Sequence, residues 1–401
     1  MTGTLISFLG KGILDKTTGY RKADYVFADG RIVTTPFFGL ALKQVMRPQR
    51  LVLLGTKGSM WGVLVEHLAA QGKDEDLRLE LLEASERQAV TENLLARSKP
   101  LVDQALGIPC DLRLIDYGRD EQEQIAILAA IAKAVGRERV TLDLTHGFRH
   151  LAALGLLSAF FLERVARLQV DGLYYGALDM TENGLTPVVC LGGLLQVQRW
   201  IDALSRFDQD GDYSVFTPLL QADAVPEDKA RCLTEAAFHE RTFNLSDARR
   251  KLQSFLPVLD KPLPGTSALF QKQLAERLAW AKTGTLFDHQ RKLAYLYLER
   301  NDPVRAAIFG FEAMVTQECQ HAGYDVNDYE AGRKPAADAL DAQIRANRLH
   351  ADFQAGYWTL KNLRNALAHG NPPSIDRYRK LLSDPRQLGI ELRKALDCLL
   401  S

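Results

Sequence analysis

Val140-Thr141-Leu142-Asp143-Leu144-Thr145-His146-Gly147-Phe148-Arg149-His150 decides the fold of this chain. Its first half is β-branched and apolar and predicts a buried strand. Its second half opens an apolar-rich run over residues 151–168, long enough for a helix of several turns. The corner between them carries Asp143, Thr145, His146, Arg149 and His150 around one glycine, Gly147. A capping corner needs one polar residue, so five in one corner predict a ligand site. A helix start presents free N–H groups and a positive dipole end, which suit phosphate.

Outward from this corner, strand patterns alternate with helical ones. Residues 4–9 form an apolar strand followed by Gly10-Lys11-Gly12, and residues 20–27 and 31–37 flank the turn pair Asp29-Gly30 as a hairpin. Residues 50–54 are a further strand running into Gly55-Thr56-Lys57-Gly58-Ser59, and a helical pattern with Trp61, Leu64, Val65 and Leu68 follows. Residues 74–106 are charged and helix-prone, 112–115 a strand, and 121–135 a helix; strands at 170–178 and 188–191 close the sheet. The alternation predicts a mostly parallel, doubly wound α/β sheet. Ligands of such sheets bind at the carboxyl ends of the strands, near the reversal of strand order. Three loops satisfy that rule, so Lys11, Gly12, Thr56, Lys57, Ser59, Asp143, Thr145, His146, Gly147 and Arg149 are the candidate contacts to a phosphate-rich ligand. None of the loops has the spacing of a P-loop or of a dinucleotide fingerprint.

From about residue 194 the strand patterns stop. Helical patterns cover 194–207, 228–238, 246–255, 267–283, 287–300, 303–322, 334–348, 357–369 and 377–400, with linkers at 208–212 and 256–265. The expected division is therefore residues 1–193 as the α/β domain and 194–401 as an all-α region. The chain has 50 basic and 50 acidic residues, so no global field draws it to nucleic acid. Neither a signal peptide nor a membrane-spanning run is visible in the sequence. The five cysteines show no C-x-x-C pairing, which argues against a zinc site and for a reducing, cytoplasmic location.

A second constellation lies in Lys361-Asn362-Leu363-Arg364-Asn365-Ala366-Leu367-Ala368-His369-Gly370. Leu360, Leu363 and Leu367 recur at helical spacing and Gly370 supplies a helix stop. Asn365 and His369 are four apart and share a face, with Arg364 beside them. A histidine can move protons and an arginine can hold charge developing on a phosphate, the parts needed for phosphodiester cleavage without a metal. Residues 345–394 hold ten lysines and arginines: Arg345, Arg348, Lys361, Arg364, Arg377, Arg379, Lys380, Arg386, Arg393 and Lys394. Tyr357, Trp358 and Tyr378 lie among them, a mixture that suits single-stranded RNA.

Asp143-Leu144-Thr145-His146-Gly147 resembles the Asp-x-Thr-His-Gly signature of CRISPR-associated proteins with a CARF domain, a Rossmann-like sensor of cyclic oligoadenylates. Arg364-x-x-x-x-His369, with Asn365 next to the arginine and Gly370 after the histidine, resembles the R-x(4–6)-H motif of HEPN ribonucleases, helical domains that dimerise to form one composite site. The two together, in this order, resemble the CARF–HEPN ribonucleases that accompany type III CRISPR systems. That resemblance implies a homodimer or higher oligomer, activated by cyclic tetra- or hexa-adenylate bound across the CARF dimer. It implies an endoribonuclease that cuts single-stranded RNA without a metal or other cofactor, through 2′-hydroxyl attack. Arg364 and His369 would be the catalytic pair and Asn365 a helper. Glu312, in the preceding helices, would orient the arginine. Two readings compete: a CARF sensor whose helical region binds nucleic acid or protein without cutting, and a CARF protein that also degrades its own activator.

Overall fold

The computed structural model describes residues 3–11, 14–15, 19–20, 22–68, 74–136 and 139–401. It divides into two compact units, residues 1–198 and 199–401.

In the first unit the strands are β1 (Gly3–Leu9), β2 (Leu14–Asp15), β3 (Gly19–Tyr20), β4 (Ala23–Val26), β5 (Ile32–Thr35), β6 (Arg50–Gly55), β7 (Cys110–Leu114), β8 (Arg139–Asp143), β9 (Val170–Gly176) and β10 (Leu185–Cys190). The helices of this unit are α1 (Phe38–Met46), α2 (Trp61–Leu68), α3 (Glu75–Glu86), α4 (Glu92–Leu106), α5 (Glu121–Ala134) and α6 (Arg149–Arg164). The eight-stranded sheet runs β5-β4-β10-β9-β8-β1-β6-β7. Strands β9, β8, β1, β6 and β7 pair in parallel, whereas β10 is antiparallel to β9 and β5 to β4.

Alternation along the central strands assigns each residue to one of two cores. Leu5, Leu9, Leu51 and Leu53 pack towards α1, α2 and α4. Ile6, Phe8, Val52, Leu54 and Leu142 pack towards α5 and α6. Both faces are covered, so these strands are largely apolar, Ser7 and Asp143 being the buried polar pair between them. Among the parallel strands, β6 and β7 follow β1 on one side, and the chain then returns to place β8 and β9 on the other. Strand order therefore reverses between β1 and β8, and the crevice falls at Leu9–Gly10 and Asp143–Gly147.

Two details add to the sequence reading and two depart from it, in that order. Residues 74–106 form two helices, interrupted where Gln88 takes φ 55° and Thr91 caps α4 by accepting from the Leu94 N–H. The last strand is antiparallel, β10 folding straight back on β9. The helix expected at 357–369 begins one and a half turns earlier, as α15 (Ala351–His369). The single helix expected over 377–400 is two, α16 (Asp376–Leu382) and α17 (Pro385–Leu399). Pro385 starts the second, and the Asp384 carboxylate accepts from the N–H groups of Arg386 and Gln387 at 3.0 and 3.1 Å.

The second unit is helical. It continues from α7 (Gly192–Asp210) through α8 (Thr217–Ala222), α9 (Glu227–Arg241), α10 (Leu245–Phe255), α11 (Gln271–Leu278), α12 (Leu286–Glu299), α13 (Pro303–His321) and α14 (Lys334–Arg345) to α15, α16 and α17. The central helix α13 buries Ala306, Ala307, Phe309, Gly310, Ala313 and Met314, small and large side chains that let neighbours approach. A Cβ on Gly310 would run into the Leu396 side chain, so α17 closes directly on the α13 backbone. Asp302 caps α13 and Pro303 starts it. Glu240 is an acid buried in this unit: Tyr297 donates to its carboxyl, and burial pushes its pKa up. Among the described residues, no helix is long and apolar enough to cross a membrane.

Candidate functional sites

The polar corner after β8 is held together from inside. Asp143 is fully buried, and its carboxylate accepts from the Ser7 hydroxyl on β1 at 2.6 Å and from the Thr145 N–H at 2.8 Å. The Thr145 hydroxyl accepts from the N–H of Gly176, the last residue of β9, at 2.7 Å. Nε2 of His146 accepts from the N–H of Phe38, the first residue of α1, at 3.0 Å. Asp143, Thr145 and His146 thus tie β1, β9 and α1 to one turn. The turn packs so closely that a Cβ on Gly10 would lie 2.8 Å from the Gly147 nitrogen, and Gly147 itself takes φ 108°.

An imidazole that accepts at Nε2 is neutral and carries its proton on Nδ1. Burial lowers the pKa of His146 accordingly, with the Asp143 carboxylate pulling the other way. Burial raises the pKa of Asp143, against the pull of His146 and of its hydrogen-bond donors. A histidine kept neutral in the folded state contributes stability above its unfolded pKa, and loses it as the pH falls below the ordinary value of 6.5. Thermal melts between pH 7.5 and pH 5.5 should therefore lower the melting temperature of the native chain more than that of His146→Gln, whose amide oxygen still accepts but does not titrate. Asp143 is common to both proteins, so equal slopes would refute the neutral assignment.

The loop after β6 is built in the same way. The Ser59 hydroxyl donates to the Leu9 carbonyl at 2.6 Å and accepts from the Thr56 N–H at 2.9 Å, and the Trp61 indole donates to the Thr56 carbonyl at 2.9 Å. Met60 N–H reaches the Gly10 carbonyl at 3.0 Å. Thr56 and Ser59 are buried braces, while Lys57 projects into solvent. Lys11 and Arg149 are exposed too, and none of these three cations has an ion-pair partner among the described residues. Gly12 lies outside the described residues.

Of the ten candidate ligand contacts, five are therefore committed to scaffold bonds: Thr56, Ser59, Asp143, Thr145 and His146. Lys11, Lys57, Arg149 and the exposed backbone at Gly147 remain available. The start of α6 completes them, because no side chain caps it and its first turn contains no acid. By contrast, Asp120 caps α5, and Glu121 and Glu123 lie in its first turn. The unit thus offers an anion cradle at the β1/β8 reversal point. Two clefts of about 560 and 670 Å³ lie along the edge strands β7 and β5, away from these loops.

In the helical unit, Arg364 lies on α15 with its guanidinium 4.2 Å from the Phe311 ring centroid, and it donates to the Asn365 side-chain oxygen at 2.8 Å. Asn365 and His369 are exposed, and Gly370 ends the helix with φ 66°. The structure joins Arg364 to Asn365 and leaves His369 in solvent one turn further on. Glu312 is committed elsewhere: it takes the Arg333 guanidinium at 2.5 Å rather than orienting Arg364.

The basic stretch over 345–394 is also not a free positive surface. Arg345 and Lys361 share Asp341, Arg377 and Lys394 share Glu391, Arg379 and Lys380 share Asp376, and Arg393 faces Glu299. Tyr357 and Tyr378 are buried. Arg348, Arg364 and Arg386 are the members of that stretch without a carboxylate partner among the described residues.

These geometries define a Rossmann-like α/β unit with an anion cradle, in one chain with a helical unit. Residues 4–179 match the family model described as "CRISPR system endoribonuclease Csx1, CARF domain". The chain is also similar to the CRISPR-associated protein MJ1674 of Methanocaldococcus jannaschii, 26% identical over 291 residues. That match covers 65% of this chain and 44% of the archaeal protein, so the chain spans less than half of its relative. Together they support a CRISPR-associated protein with a CARF domain, the class of domain that binds cyclic oligoadenylates in type III systems.

Sequence reasoning missed Ser7, Phe38 and Gly176 as partners of the motif. A lone serine in an apolar strand was a readable signal for the first; backbone N–H groups from distant elements leave none.

Proposed function

We propose that this chain is a cyclic-oligoadenylate-activated endoribonuclease of type III CRISPR defence, with a HEPN site at the end of α15. The observation that carries the sensing half is the cradle: Lys11, Lys57, Arg149 and an uncapped helix start, all at the β1/β8 reversal point. Three cations around unoccupied N–H donors suit a ligand with several phosphates and no other charge.

The cutting half rests on Arg364 and His369. His369 is exposed at a helix end where an RNA strand can reach it, and Arg364 is held by Phe311 and Asn365. In the reaction, the RNA 2′-hydroxyl attacks the adjacent phosphorus while the bond to the 5′-oxygen breaks. His369 moves the proton, and Arg364 holds the charge on the non-bridging oxygens. The products are a 2′,3′-cyclic phosphate and a 5′-hydroxyl. One copy presents a single such pair on an open surface, and a second copy facing it would close the site around the RNA. We further propose that the active form is a homodimer. The commitment of Thr145 and His146 to scaffold bonds argues against a cradle that also degrades its activator.

The test is incubation of the chain with fluorescent single-stranded RNA in EDTA, with cyclic tetra-adenylate, cyclic hexa-adenylate or neither. Cleavage confined to one ring is the expected result. Ring binding without cleavage would leave a sensor only, and absence of ring binding would remove the proposal.

A further inference from the structure

Next to the cradle stands a braced group of aromatic side chains that no step above uses. Phe148, between the motif glycine and α6, is 44% exposed although it is a large apolar ring. His150 stacks on it with centroids 5.7 Å apart and planes 17° from parallel, and Tyr117 packs against it at 5.9 Å. The Arg119 guanidinium lies 4.6 Å from the centroid of the Tyr117 ring.

The two rings that flank Phe148 are held from behind. Nε2–H of His150 donates to the Tyr117 carbonyl at 2.7 Å. The buried Gly118 has φ +74°, and a Cβ there would press on the His150 ring at 3.1 Å. The Tyr117 hydroxyl donates to Gln88 at 3.1 Å. Gln88 in turn lies against Gly58, where a Cβ would meet its Cγ at 2.8 Å. The aromatic group is thus continuous with the Lys57-Gly58 loop on one side and with Arg149 on the other.

We infer that Phe148, supported by His150 and Tyr117, is the platform on which one purine of the bound oligonucleotide stacks, so that this rim reads the base while the cradle holds phosphate. The inference rests on the proposed cyclic-oligoadenylate reading. A fixed, half-exposed ring loses little freedom on binding, every nucleobase has a face to offer it, and Arg119 adds a cation beside the stack. An apolar ring kept in water beside three cations suits a ligand that is itself apolar between its charges.

The experiment measures binding of fluorescent cyclic tetra- and hexa-adenylate to the full chain, to Phe148→Ala, Phe148→Trp and Lys57→Ala, over a series of salt concentrations, with sedimentation of each protein. Loss of one base–aromatic contact weakens binding about tenfold. Phe148→Ala should show that loss with an unchanged salt slope, and Phe148→Trp should restore it. Lys57→Ala should flatten the slope instead. Equal affinity of Phe148→Ala and the native chain would overturn the platform while leaving the sensor reading intact. A fall in affinity that tracks loss of dimer, or that Trp fails to restore, would assign Phe148 to packing and overturn it equally. If the native chain binds neither ring, the sensor reading falls first and the platform with it.

Discussion

Replacing Arg364 and His369 with alanine is expected to abolish ring-dependent RNA cleavage, by at least about a thousandfold in rate. A positioned general acid–base contributes typically 10²–10⁴-fold, and removal of a group that stabilises developing charge costs about 10²–10³-fold. The two act in one transition state, so each single variant should lose nearly as much as the double. Ring binding should not change, because the cradle belongs to the other unit. Stability should change little: His369 is exposed, and Arg364 gives up one cation–π contact with Phe311, about 0.5–1 kcal/mol at such a site. Single-turnover cleavage measured beside ring binding checks all of this. A double variant that cuts as fast as the native chain would place the chemistry elsewhere.

The second large effect belongs to the cradle. Lys57→Ala combined with Arg149→Ala should weaken binding of the activating ring by at least about a hundredfold, since hydrogen bonds to charged groups contribute roughly 1.5–3 kcal/mol each. Both side chains are exposed and free of ion pairs among the described residues, so the fold has nothing to lose with them. Asp143→Ala should behave differently. It would leave the Ser7 hydroxyl and the Thr145 N–H without their buried acceptor, costing about 1–3 kcal/mol for each group left unpaired. A lowered melting temperature that accompanies weakened binding would separate this scaffold role from the direct contacts of Lys57 and Arg149. Equal melting temperatures for all three would refute it.

Much of this was legible in the sequence. Leu5-Ile6-Ser7-Phe8-Leu9 and Leu51-Val52-Leu53-Leu54 could only be strands covered on both faces, and the alternation with helices then fixed where a ligand crevice lies. The five polar residues of the corner were visible, but their division of labour was not. Whether Asp143 meets a ligand or Ser7 depends on β1 lying beside β8, a contact across 136 residues. The basic stretch misled for two reasons. Its i,i+3 and i,i+4 partners, such as Asp341 for Arg345 and Asp376 for Lys380, were readable at helical spacing. The longer pairs, Lys361 with Asp341 and Arg393 with Glu299, exist only once the helices have packed. The break at Asp384-Pro385 carried its own signal, a capping acid before proline, inside a run apolar enough to hide it.

The bonds from Asp143, Thr145 and His146 to Ser7, Gly176 and Phe38 have a kinetic meaning. If they hold the turn in this arrangement before a ligand arrives, encounter needs no slow rearrangement and association can run at the rate that charge-steered diffusion allows. Differences in affinity among rings of different size should then appear in how long each one stays. A sensor of this kind would start its response at once, and the lifetime of the complex would act as its clock.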